Sequence, residues 1–169
     1  MSILPIRRGA ALLAVLALPA AAAAAESGAF DARDPKGLIE VLGAMDAKAE
    51  VARTAADSVF LNVTTPAYGF GVQFAGCDAG GKQCQAVAFS TSASAKTATL
   101  AQINGFNQTS VNCRAFQDPA GKAHIAYSAL LSARDNRDEL KMHVGAWQGC
   151  VAAFGEFLTD PAGFLAKAP

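Results

Sequence analysis

Four cysteines follow an apolar N-terminal segment, and this arrangement constrains the fold more than any other feature of the chain. The segment carries two arginines, an apolar run over residues 10–18 and an A-x-A cleavage site just before Glu26. This pattern predicts a signal peptide over residues 1–25 and a chain that is periplasmic or secreted. In an oxidising compartment an even number of cysteines favours disulfides. The cysteines are Cys77, Cys84, Cys113 and Cys150.

An uncleaved membrane anchor is the alternative for the same segment. Its strongly apolar stretch is much shorter than the roughly 20 residues of a membrane-spanning helix, so we expect cleavage and no stable membrane insertion afterwards. Residues 26–33 then form a short leader. Loss of Arg7 and Arg8 from the 14 basic side chains, set against 14 acidic ones, leaves a formal charge of −2. No basic stripe is present, so the sequence offers no support for a nucleic-acid partner.

Hydrophobic periodicity predicts a single domain over residues 34–160. The predicted helices cover residues 35–48, 97–107 and a last segment whose apolar stripe runs from Leu140 to Leu158. The predicted strands cover residues 49–54, 58–65, 68–74, 84–90, 110–117 and 123–132. The order α-β-β-β-β-α-β-β-α indicates an α+β fold, an antiparallel sheet with helices packed on it. Residues 161–169, which begin at Pro161, are expected to form a loose C-terminal tail.

The spacing of the cysteines bears on their pairing. Four cysteines can pair in three ways, and the sequence alone does not choose between them. Locality favours Cys77–Cys84 across the neck of a turn-rich connection, which leaves Cys113–Cys150 to join a strand to the last helix. Zinc sites usually hold cysteines two to four residues apart, whereas the nearest two cysteines here are seven residues apart. We therefore expect disulfides and neither a metal site nor a cofactor.

No catalytic constellation stands out in the sequence, and no catalytic residue is assigned. His124 is predicted on a strand and His143 on the border of the last helix's apolar stripe, so each has a structural explanation. Asp135, Asp138 and Glu139 cluster where the last helix begins, and negative charge there favours the helix dipole. A small periplasmic hydrolase that uses His124 or His143 is the rival hypothesis. A structural homodimer, formed through a sheet edge or a helix face, is a third.

Three stretches carry a family resemblance over most of residues 34–158. They are Phe70–Cys77 followed by Cys84–Phe89, the helix end Ile103–Asn107, and Arg114–Gly121 leading into a strand and the Trp147 helix. In this order they resemble the YbjN family, bacterial proteins described as sensory transduction regulators. The resemblance implies a fold like that of type III secretion chaperones and transfers no catalytic residue. The hairpin carries only Asp118 where the family tends to have more acidic residues.

These observations together favour an exported, non-catalytic protein that acts in regulation or envelope homeostasis. Its expected ligand is a peptide, a protein or a small molecule, and the partner's identity is not encoded in any motif. A homodimer is compatible with this hypothesis.

Overall fold

Six antiparallel strands form one sheet in the order β1-β2-β3-β4-β6-β5. The structure is a computed structural model that describes residues 29–93 and 98–167. The predicted signal peptide and residues 26–28 of the predicted leader lie outside the described residues. The strands are β1 Lys48–Ala55, β2 Ser58–Thr64, β3 Gly69–Ala75, β4 Ala86–Ser92, β5 Cys113–Gln117 and β6 Ala123–Leu130. The helices are α1 Pro35–Gly43, α2 Leu100–Thr109, α3 Arg137–Thr159 and α4 Pro161–Ala166. The predicted α+β fold with an antiparallel sheet is confirmed.

Alternation along the strands places the core on one face of the sheet. In β2 the side chains of Val59, Leu61 and Val63 are buried, whereas their neighbour Asn62 is exposed. The same alternation buries the predicted apolar positions of β3 and β4, because successive side chains of a strand point to opposite faces. The helices pack on this apolar face. Among the described residues, no helix is both long and apolar enough to cross a membrane.

The helix starts follow the capping residues of the sequence. The Asp34 carboxylate accepts a hydrogen bond from the backbone N–H of Lys36, as predicted for an N-cap residue. The end of α1 was predicted wrongly, because the helix stops at Gly43 and not at Lys48. Asp46 has a left-handed backbone (φ 58°), which turns the chain directly into β1. Met45, expected on the buried face, is consequently 37% exposed.

The long helix α3 lays its apolar stripe on the sheet. The fully buried Trp147 ring packs against both Phe70 and Phe89, with ring centroids 5.5 Å and 6.0 Å away. The predicted apolar stripe ends at the wrong residue. Phe157 is fully buried, whereas Leu158, the predicted last member, is only half-buried. The shift occurs because the end of α3 also packs against two helices: the Phe157 ring lies 5.0 Å from that of Phe106 in α2 and 5.7 Å from that of Phe164 in α4.

Residues 161–166 form helix α4, so the prediction of a loose tail is wrong for them. The Asp160 carboxylate accepts a hydrogen bond from the backbone N–H of Gly163 at 3.0 Å and begins the helix. The Phe164 ring then stacks on Phe106 at 5.8 Å and meets Phe157 edge-on at 5.7 Å. This aromatic contact is nonlocal, and periodicity within six residues does not reveal it. Residues 168–169 lie outside the described residues.

The four cysteines form two disulfides, Cys77–Cys84 and Cys113–Cys150. The first closes the turn-rich connection between β3 and β4. The second ties β5 to the sheet-facing side of α3, across a Cα–Cα distance of 5.5 Å. Disulfides of this kind are typical of a chain that folds in an oxidising setting.

We expect the Cys113–Cys150 disulfide to stabilise the protein more than the Cys77–Cys84 disulfide. The two pairs are separated by 37 and 7 residues. Chain-entropy estimates give about 3.9 and about 2.5 kcal/mol for loops of these lengths. Urea unfolding of C113S/C150S and C77S/C84S should therefore show the larger loss in the first variant. Equal losses or the reverse order would contradict the loop-length argument, and a non-reducing peptide map checks both pairs.

We expect Trp147→Ala to lower the free energy of unfolding by about 3–5 kcal/mol, because it removes the largest side chain of the core. Urea titration followed by circular dichroism at 222 nm measures this loss without relying on the tryptophan. Val111→Ala is the matched control, since Val111 is 87% exposed and its truncation should change stability little. A loss near that of the control would show that Trp147 does not hold α3 on the sheet.

Candidate ligand-binding cleft

A cleft of about 610 Å³ lies where the ends of α2 and α3 meet α4. Its volume falls within the range of small-molecule sites, which are concave and lined by apolar and a few polar groups. The lining residues come from three helices and the α3–α4 junction, so the cleft exists only when α4 is docked. They are Thr109, Glu156, Thr159, Asp160, Gly163, Phe164 and Lys167.

The C-terminal end of α2 contacts both β5 and α4 next to the cleft. The Asn107 side chain donates to the Ala115 carbonyl at 2.9 Å and accepts from the Ala115 N–H at 2.8 Å. This two-bond contact fixes α2 against β5. A Cβ atom on Gly105 would lie 2.9 Å from the Leu165 side chain, so glycine permits the close approach of α4. The family-like stretch Ile103–Asn107 therefore positions the end of α2, which contributes Thr109 to the lining of the cleft.

The cleft is lined by two acidic side chains and an aromatic ring. Glu156 and Asp160 stand one helical turn apart, and a single ammonium, that of Lys167, lies in the same lining. The half-buried Phe164 ring supplies an aromatic surface. Carboxylates and an aromatic face together favour a positively charged group, through ion pairing and cation–π attraction.

The two threonine hydroxyls of the cleft have structural partners. Thr109 Oγ1 donates to the Phe106 carbonyl and Thr159 Oγ1 to the Gly155 carbonyl, each at 2.9 Å. Neither histidine of the chain lines this cleft. The lining thus contains no histidine that would activate a hydroxyl nucleophile.

His124 lies on β6 next to the turn of the β5–β6 hairpin and does not line the cleft. Its Nε2 is 3.3 Å from Asp118 Oδ2, and its ring stacks on Phe116 at 4.9 Å. The Asp118 carboxylate also accepts a hydrogen bond from the Lys122 N–H, and this bond, followed by that to His124, lowers the Asp118 pKa. These contacts close the turn of the hairpin, which is a structural task.

His143 lies on α3 and contacts the sheet. Its Nδ1 is 2.8 Å from the Tyr127 hydroxyl, and burial raises the Tyr127 pKa. The structure therefore places the two histidines in separate hydrogen-bonded pairs, and no described contact joins either of them to both an acid and a nucleophile.

The acidic residues before and within the first turn of α3 serve the helix start. The Asn136 side chain accepts from the N–H groups of Asp138 and Glu139, and the Glu139 side chain accepts from Asn136 N–H in return. Asp135 accepts from the Ser132 N–H at 2.8 Å. Among the described residues, no group of three or more His, Cys, Asp and Glu side chains is placed to hold a metal ion.

Sequence reasoning missed the cleft and its residues Glu156, Asp160 and Phe164. The available signal was Asp160-Pro161, an N-cap residue followed by a first-turn proline, which is typical of a helix start. The same pair of residue types at Asp34-Pro35 correctly predicts the start of α1. At Asp160-Pro161 it predicts a further helix after α3, which is α4.

A family model described as "Putative bacterial sensory transduction regulator" matches residues 34–159. The chain belongs to the YbjN family. No curated protein and no solved structure matches it, so the likeness to type III secretion chaperones stays a prediction. The family description is that of a regulator.

We expect the ionisation of the Asp118 carboxyl group to make the stability of the folded protein depend on pH. Because its folded-state pKa is lowered, its contribution to stability is complete above the unfolded-state value of about 3.9 and is lost as the pH falls through the folded-state pKa. Asp118→Asn should therefore reduce the difference in urea midpoint between pH 6 and pH 3, with the exposed Asp46→Asn as the control. If Asp118→Asn left the difference in urea midpoint between pH 6 and pH 3 unchanged, Asp118 would not be a source of this pH dependence.

Proposed function

We propose that this YbjN protein is an exported, non-catalytic regulator that binds a positively charged group of a peptide or small molecule in the cleft between α2, α3 and α4. The observation that carries the proposal is the lining of the cleft, which contains two carboxylates, those of Glu156 and Asp160, together with the Phe164 ring. Family membership supports a regulatory role.

Export is supported by the signal-peptide pattern and by the two disulfides, which form in oxidising compartments. The proposed location is the periplasm or the outside of the cell. Intact-mass analysis of the protein from its native host should find an N-terminus at Glu26. A retained Met1 would contradict cleavage and favour the anchor.

The proposed selectivity follows from charge. Two carboxylates against one ammonium give the lining a net negative charge, and the Phe164 face adds attraction for a cation once water is displaced. An anionic ligand would gain only the Lys167 contact and would face both carboxylates. The cleft should therefore discriminate by ligand charge.

We expect tri-lysine to bind the cleft and tri-glutamate not to bind it. Titration of the isotope-labelled, oxidised protein with each peptide, followed by amide NMR, should show tri-lysine shifts at Thr109, Thr159 and Gly163. Glu156→Gln should weaken tri-lysine binding about two- to fivefold, as removal of one ion-pair partner at an exposed site does.

Asp46→Asn is the matched control, because it removes one negative charge outside the cleft and should leave the affinity unchanged. Shifts that are scattered over unrelated acidic residues, or a Glu156→Gln variant with unaltered affinity, would overturn the cleft as the binding site.

A further inference from the structure

Helix α4 docks on the domain mainly through two side chains. The helix is six residues long, and none of its residues is buried. The Phe164 ring packs on Phe106 and Phe157. The Leu165 side chain lies over the backbone of Gly105, with its Cδ1 atom 2.9 Å from where a Cβ atom at that position would be. Among the described residues, no hydrogen bond, salt bridge or disulfide joins α4 to α2 or to the sheet.

So short a helix depends on these contacts for its stability. Isolated helices shorter than about 12–15 residues are marginal in water, and segments with few buried apolar contacts open at a lower free energy than the core does. The neighbouring α3, in contrast, buries Leu140, Val144 and Trp147 and is tied to β5 by the Cys113–Cys150 disulfide. We therefore expect α4 to undock locally while α3 stays in place.

Undocking of α4 would take the cleft apart. The lining on one side belongs to α2 and α3, whereas the rest comes with α4 and the residues that flank it: Asp160, Gly163, Phe164 and Lys167. The cleft is complete only in the docked state, so a ligand that contacts both sides binds that state more tightly. By thermodynamic linkage the effect is reciprocal: docking of α4 strengthens ligand binding, and bound ligand holds α4 in place.

We propose that α4 is a docking element coupled to ligand binding and that Leu165 is its positioning residue. The inference rests on the proposed binding of a positively charged group in the cleft. Leu165 does not line the cleft, so it acts on the ligand only through the position of α4, which carries Phe164. Ligand binding is thereby converted into a change of the protein surface beside α2.

Amide hydrogen exchange, measured by NMR on the oxidised protein, tests the coupling. The Phe164 amide donates to the Asp160 carbonyl at 2.9 Å. In the free protein it should exchange at least about tenfold faster than the Trp147 amide in the core part of α3. Tri-lysine at ten times its dissociation constant should slow Phe164 exchange about tenfold, because the ligand binds only the docked state. The amides of β1, the edge strand at the far side of the sheet from β5, are the internal control.

Leu165→Asn removes the apolar anchor without changing the charge of the cleft. It should speed Phe164 exchange at least about fivefold and weaken tri-lysine binding at least about threefold, because the apparent dissociation constant rises as the docked fraction falls. Leu165→Met keeps an apolar side chain of similar volume and should hold both quantities within about twofold of the original. Ala166→Asn is the matched control, since it introduces the same residue at an exposed position of the same helix and should change both less than about twofold.

The outcomes separate this inference from the proposed function. Circular dichroism and Trp147 emission establish that each variant is folded. Phe164 exchange as slow as that of Trp147 in the free protein would overturn the coupling and leave the cleft as a binding site. A Leu165→Asn variant that binds tri-lysine with unaltered affinity would do the same. If tri-lysine does not bind the original protein, the proposed function and the coupling both fail.

Discussion

The packing of Trp147 on one face of the sheet is the contact on which the rest of the structure depends. Its ring packs on both Phe70 and Phe89, and the Cys113–Cys150 disulfide fixes α3 to β5 one turn further along. With α3 fixed in this way, α1 and α2 complete the layer on the same face. The opposite face of the sheet is left without helical cover among the described residues.

Most of the fold could be predicted because its signals are local. Period-two alternation marked the strands and their buried face, as in Val59, Leu61 and Val63. Capping residues marked where helices begin, as Asp34 did for α1. Helix ends were less predictable, because the left-handed backbone of Asp46 is a local choice that apolar spacing does not encode.

The candidate cleft could not be predicted for a different reason. Its walls come from α2, α3 and α4, and their approach depends on the aromatic contacts of Phe164 and on the space at Gly105. Spacing along the chain describes one element at a time, so it shows neither the contact nor the cavity beside it. The resemblance did include Gly105 and Asn107, but as motif letters without a structural task.

The cleft extends beyond the matched domain, because α4 supplies part of its lining. The family model ends at residue 159, and Asp160, Gly163, Phe164 and Lys167 of the cleft lie after that point. The sheet and α3 thus lie within the matched region, while four of the seven residues that line the cleft lie in the segment that follows. A substitution in this short segment would change the lining of the cleft without altering any residue of the matched domain.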